Sequence, residues 1–334
     1  MKRKRLVRRV EYFDRSDQSR QGYSRAQTLA GVRVGSLTLA NPVMTASGTA
    51  GHGAELHAFA DLGLLGAHVV KSLAAFPWSG NPAPRIHPTG AGMLNAVGLQ
   101  GPGIAAWLRD DLPKLAATNA KVVVSIWGRS VQDYADAAAL LEGASEQIVA
   151  VEVNLSCPNL EGHTGIFAHD ADLSATVIEA TAVCGKPRWA KLSPNTDRIV
   201  AVASAVVDAG AESLTIANTL LGMAIDTDNG RPVLGAGGGG YSGRAIHAVS
   251  VRAVHDVRAA LADISIIGVG GISSGLEAAE MMMAGADAVQ VGTATFADPR
   301  AAWNILGELR SWAATRQIED WSDLTSLVHR GGWR

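Results

Sequence analysis

Eight short apolar runs recur along the chain, each followed by a loop and most by an alanine-rich helical window. The runs are Pro42–Ala46, Ala67–Lys71, Lys121–Ile126, Ala150–Asn154, Arg188–Leu192, Ser213–Asn218, Ile264–Val269 and Ala288–Val291. They are short, rich in β-branched residues and apolar throughout rather than alternating, as strands covered on both faces should be. The windows Val131–Leu141, Asp172–Val183, Arg198–Ala209, Ala245–Leu261 and Leu276–Ala284 lie between them. Strand and helix in strict alternation predict a parallel sheet, and eight repeats within 334 residues predict an α/β protein of the (β/α)8 (TIM) barrel class. Ahead of the first run, Val32–Leu39 alternates around Gly35-Ser36, which predicts a β-hairpin plugging the N-terminal mouth of the barrel. Two connections are long: the one after the second strand, with Gly80-Asn81-Pro82, and the one after the sixth, with Gly237–Gly240. Loops of that length in a compact fold usually carry function.

Composition limits what the barrel can hold. Hydrophobic residues make up 47% and charged residues 18%, which supplies a large core, and mean hydropathy is +0.13. A net charge of −2 gives no electrostatic footprint for nucleic acid. Two cysteines, Cys157 and Cys184, cannot build a disulfide framework or an iron–sulfur site, so a reduced, cytoplasmic protein without a metal of its own is expected. No run reaches the ~20 apolar residues of a membrane helix. Residues 1–30 begin Met1-Lys2-Arg3-Lys4-Arg5 and read as a flexible basic extension, with 31–334 as the catalytic domain.

Chemistry in such barrels collects where the strands end. Here Lys71, Ser125, Asn154, Lys191 and Asn218 mark the ends of the second to sixth strands. The seventh and eighth close on Gly268-Val269-Gly270-Gly271-Ile272 and Val291-Gly292-Thr293-Ala294, where bare backbone N–H groups can meet an anion, and Gly243 adds a third cradle. That pair predicts a phosphate site without naming the cofactor. Beyond the fourth strand, Asn154-Leu155-Ser156-Cys157-Pro158-Asn159 points a thiol at the mouth, because Pro158 biases Cys157 to an extended conformation. Cys184, inside a helical window, reads as a small buried hydrophobe. The amides of Asn95, Asn154, Asn159 and Asn218 offer donors and acceptors to a planar ligand whose edge alternates C=O and N–H, as a pyrimidine's does.

These segments resemble dihydroorotate dehydrogenase. The likeness rests on Lys71-Ser72, Met93–Leu99, Asn154–Asn159, Lys191-Leu192-Ser193-Pro194, Asn218–Met223, Gly268–Ile272 and Val291–Ala294, and runs in order from about residue 32 to the C-terminus. A cysteine in the asparagine-rich loop is similar to the soluble class 1 enzymes, and Asn218–Asp226 is most similar to the class 1B catalytic subunit. The resemblance implies FMN across the barrel mouth, its phosphate on Gly243, Gly270, Gly271, Gly292 and Thr293. Ala46, Ser47, Gly48, Lys71, Ser72, Ser125, Asn154 and Lys191 would line the remainder of the cofactor. It implies dihydroorotate or orotate stacked on the flavin. Lys71, Asn95, the backbone of Val97, Gly98 and Leu99, Asn154, Asn159, Asn218 and Thr219 would hold that ring. Cys157 would take the C5 proton while the C6 hydride passes to flavin N5. Lys191 would stabilise charge at the flavin N1–C2=O edge, and Lys71 would set the potential or hold substrate. For each lysine the alternative is a buried ion pair, for example with Glu152. A homodimer is implied, and a second subunit carrying FAD and an iron–sulfur cluster fits class 1B.

Leu160–Asp170, with Gly162 and Gly165, suits a lid over the base. Trp127, Tyr241 and Gly101 depart from the family's pattern, and an indole at 127 is expected to repack the flavin rim or a subunit interface. Rival readings are a dihydropyrimidine dehydrogenase, which tends to have His at the position of Asn159, a tRNA dihydrouridine synthase, and a non-catalytic flavin protein.

Overall fold

The computed structural model describes residues 29, 31–156, 158–159 and 165–333. The N-terminal extension, apart from Leu29, therefore lies outside the described residues. The eight apolar runs form eight parallel strands: β1 (Val43–Thr45), β2 (His68–Val69), β3 (Val122–Ile126), β4 (Ile148–Asn154), β5 (Arg188–Lys191), β6 (Ser213–Ile216), β7 (Ser265–Val269) and β8 (Ala288–Val291). Each lies beside its sequence neighbour, from β2 round to β8, and β8 pairs with β1. A parallel bridge from Met44 to Ala67 joins β1 to β2 and closes the ring. Residues of β3, β6 and β8 are buried without exception, which is why these strands read as unbroken apolar runs.

Helices return the chain outside the ring. Ser130, Asp170 and Ser274 cap α1 (Val131–Ala139), α2 (Ala171–Ala180) and α3 (Gly275–Ala284), each accepting from a backbone N–H three residues on. Such caps satisfy donors that a helix start otherwise leaves unpaired. The first unit departs from the pattern, because β1 is followed by short 3-10 turns at Glu55–Ala58 and Leu62–Leu64. The last unit closes on Ala301–Thr315.

Val32–Val34 pairs with Leu37–Leu39 as the expected hairpin. At its turn the Gly35 N–H donates to Ser265 Oγ (2.9 Å) and the Ser36 N–H to Glu212 Oε2 (3.1 Å), both at the N-terminal ends of strands. Val34 and Leu39 are buried in the main core, so the hairpin plugs that mouth.

The long connections correct the expectation of loops. Ile86–Thr89, Gly92–Asn95, Gly239–Ser242 and Leu220–Gly222 assemble into a four-stranded antiparallel sheet. The glycine run enters it because a side chain will not fit: a Cβ on Gly240 would stand 2.2 Å from Thr219 Oγ1. This sheet carries Asn95 over the strand ends.

One buried group sets an acid limit on the barrel. His68 is fully buried on β2, its Nδ1 3.2 Å from Thr45 Oγ1. Burial, opposed only in part by Glu55 and the Gly53 backbone, holds its pKa at about 4 against an ordinary 6.5. The unfolded chain takes up a proton that the folded protein refuses. The contribution is intact above pH 6.5 and is lost as pH falls toward 4. On the order of 3 kcal/mol should disappear across that window. Thermal melts from pH 7 to 4 should show the fall, and His68→Asn should flatten it. An unchanged pH slope in the variant would assign the acid sensitivity elsewhere.

Candidate active site

One cavity of about 790 Å3 occupies the C-terminal mouth of the barrel, beneath the four-stranded sheet. Its size is ample for a cofactor with a small substrate beside it.

At one end is the glycine cradle. Gly270 follows β7 with φ +133° and Gly271 with φ +69°, while Gly243 has φ +94°. A Cβ on Gly270 would stand 2.0 Å from Ser250 Oγ, and one on Gly271 2.6 Å from the Cβ of His247. Both positions thus exclude a side chain by space as well as by dihedral. Thr293, after β8, donates from Oγ1 to Ser242 Oγ (2.8 Å), tying the β8 end to the covering sheet. Gly243, Gly270, Gly271, Gly292 and Thr293 all line the cavity. Backbone N–H groups freed in this way fit a phosphate.

At the other end is a ring of amides and hydroxyls. Asn154, from the last position of β4, donates from Nδ2 to Ser72 Oγ (3.3 Å) and accepts at Oδ1 from Asn218 Nδ2 (3.2 Å) and from the Ser156 N–H (3.2 Å). Asn218 in turn accepts from the Thr219 N–H at 2.8 Å. Asn95 donates to the Gly240 carbonyl at 3.2 Å, across the covering sheet. Val97, Gly98 and Leu99 also face the cavity, as do Ala46, Ser47 and Gly48. Ser47 and Ser72 are 3.2 Å apart at their hydroxyls.

Lysines supply the charge. Lys71 lines the cavity, and its charge adds to burial in holding the His52 ring below its ordinary range. Lys191 ends β5, is 5% exposed, and meets Glu152 Oε1 at 3.4 Å. Glu152 is wholly buried inside the barrel, where it also accepts from Thr215 Oγ1 (3.2 Å) and Gln290 Nε2 (2.7 Å). Lys191 thus makes the buried ion pair and also lines the cavity.

Two residues expected near the flavin, Ser125 and Trp127, stand outside the cavity lining. Ser125 is fully buried, and its Oγ lies 2.8 Å from the Oγ of Ser72, which lines the cavity. Trp127 lies outside the cavity lining: the indole packs edge-on to Phe76 (6.0 Å) and Trp78 (5.9 Å), with Arg129 over Phe76. Gly101 pairs with Trp78 in that same cluster, and Tyr241 lies in the covering sheet.

Cys157 and residues 160–164 of the lid segment lie outside the described residues. For Asn159 only the backbone is described: Pro158–Asn159 pairs antiparallel with Gly165–Ile166. Cys184 is buried at 1% exposure, as a small hydrophobe would be. Asn195 and Ser193 also line the cavity, and sequence reasoning passed over both. The available signal was an amide two residues beyond a rim serine. Among the described residues no cluster of His, Cys, Asp and Glu is placed to hold a metal ion, and no helix is long and apolar enough to cross a membrane.

A closed (β/α)8 barrel with an anion cradle on β7 and β8, and a lysine- and amide-lined cleft continuous with it, has the layout of a barrel oxidoreductase. The dihydroorotate dehydrogenase family model matches residues 29–312, and the chain belongs to that family, whose members are flavin-dependent. It is 45% identical over 298 residues to "Dihydroorotate dehydrogenase B (NAD(+)), catalytic subunit" of Geobacter sp. (strain M21), covering 89% of this chain and 97% of the relative. The protein of the same name from Desulforudis audaxviator is 44% identical over 302 residues, covering 90% and 98%. That from Alkaliphilus oremlandii is 44% identical over 291 residues, covering 87% and 95%.

Proposed function

We propose that this protein oxidises (S)-dihydroorotate to orotate with FMN as cofactor, the redox step of pyrimidine synthesis. The observation that carries the reading is one cavity holding both the glycine cradle and the ring of Asn95, Asn154, Asn218 and Lys71. The cradle fits the cofactor's phosphate, since Gly270 and Gly271 leave room for backbone N–H groups alone. Bound FMN supplies the acceptor for the hydride that leaves C6.

The chain's own groups do the rest. Asn154 and Asn218, cross-linked to each other, present a fixed pattern of donors and acceptors to the pyrimidine edge, so little ordering is left for the moment of binding. The family's motif assigns Asn159 to the same substrate-binding set. Lys71 offsets the substrate's negative charge. Lys191, held by Glu152, keeps positive charge at the cavity floor. Cys157 accepts the C5 proton.

A second subunit with FAD and an iron–sulfur cluster, passing electrons to NAD, fits the "catalytic subunit" of the relatives' name. The mouth of the cavity supports this, because Ile86, Leu221 and Phe296 are 50%, 67% and 53% exposed where they line it. Exposed apolar groups beside a redox site suit a docked partner. A homodimer working in the cytoplasm completes the reading.

The test is anaerobic mixing of the FMN-loaded protein with dihydroorotate. Bleaching of the visible flavin band is expected, with dihydrouracil far slower. A protein bleached by dihydrouracil and indifferent to dihydroorotate would overturn the assignment in favour of a dihydropyrimidine dehydrogenase.

A further inference from the structure

Asn195 stands on the loop after β5 and joins it to the loop after β6. Its Nδ2 donates to the Thr219 carbonyl (2.9 Å), and its Oδ1 accepts from the Leu221 N–H (2.8 Å). The same Nδ2 donates to Ser193 Oγ (3.0 Å), which also accepts the Asn195 N–H (3.2 Å). A carbonyl on one side and an N–H on the other fix which end of the amide is which. The side chain thus replaces a neighbouring strand for residues 219 and 221.

What it grips matters for the site. Thr219 N–H is held by Asn218 Oδ1, and Asn218 Nδ2 is bonded to Asn154. Leu221 opens the exposed rim, and Leu220–Gly222 is the edge strand of the covering sheet. As an edge strand it is paired on one side only. The Asn195 amide is its fastening on the β5 side.

We propose that Asn195 is a positioning residue for substrate: it sets the place of Asn218 and Thr219 by clamping the backbone on either side of Leu220. This rests on the dihydroorotate reading above. Removing the clamp should loosen the ring-binding amides without touching the proton or hydride steps. The loss then falls on binding shared by ground and transition states, and so on KM rather than kcat.

The experiment compares wild type with Asn195→Ala and Asn195→Asp in the FMN-loaded protein. Asn195→Asp keeps the acceptor for Leu221 N–H and loses the donor to Thr219. In both variants KM for dihydroorotate and the orotate dissociation constant, read from the flavin spectrum, should rise about tenfold. The kcat and flavin content should stay near wild type. Hydrogen exchange across residues 218–222 should quicken in Asn195→Ala with or without substrate. Unchanged KM and unchanged exchange would overturn the proposal. So would KM, kcat and flavin content all failing together, which is the mark of a general structural loss. A wild-type protein inert to dihydroorotate would sink the functional reading alone, and the exchange result would still decide the clamp.

Discussion

Alanine at position 157 is expected to cut dihydroorotate-driven flavin reduction by ~10²–10⁴-fold, the usual worth of a positioned general base. The flavin content and melting temperature of the variant should match wild type, since the FMN cradle is built from other strands. Loss of a C5 proton needs an acceptor in the ring of groups around the pyrimidine, and the amides of that ring cannot serve as one. The chain places one thiol in the segment leaving β4, between Asn154 and the Pro158–Asn159 strand. An ordinary cysteine titrates near ~8.5, so a small thiolate fraction is present at pH 7. Wild-type reduction should therefore climb with pH through that range, and Cys157→Ser should lose the climb. Stopped-flow reduction across pH 6–10 (roughly the span that brackets the thiol) reads both effects. Wild-type rates in Cys157→Ala would remove the base from position 157.

Lys191→Ala carries the largest expected cost in stability. Glu152 is wholly buried, and the lysine at 3.4 Å is the cation that balances it. Removing one member of such a pair typically costs about 3–5 kcal/mol, because the other is left charged and dry. The hydrogen bonds from Thr215 and Gln290 soften the loss without cancelling a charge. Lys191 also faces the cavity, so flavin reduction should slow or flavin binding weaken. The double variant Lys191→Ala/Glu152→Gln separates the two roles. Stability should largely return, because the unpaired carboxylate is gone, while the flavin defect should persist. Recovery of both together would make Lys191 a structural residue only. Thermal melts and flavin titration on the same preparations give the answer.

The barrel was legible because strands covered on both faces leave a signature that needs no alignment. Seven of the eight expected runs contain the strand found there, and the fourth strand, Ile148–Asn154, begins two residues ahead of its expected run. The glycine cradle was legible for a related reason. Gly270 and Gly271 sit where a side chain has no room, and a glycine pair at a strand end advertises that constraint. The surroundings of Trp127 were not legible, because it stands one residue beyond β3 and its ring partners Phe76 and Trp78 come from the connection after β2. Ser125, two residues earlier, meets Ser72, while the indole packs into an aromatic cluster. Asn195 went unread because its importance lies in two backbone groups on another loop.

The amino-acid order by itself settled the class of fold, the end of the barrel that holds the cavity, and many of the residue types that line it. Those follow from local periodicity and from steric limits that act within a few residues. Only the tertiary structure decided which long connections join into the covering sheet, that Lys191 serves Glu152 and the cavity at once, and that Asn195 fastens the β6 loop. These depend on contacts between residues far apart in the chain. Such contacts are set by which surfaces pack together, and no local pattern encodes that.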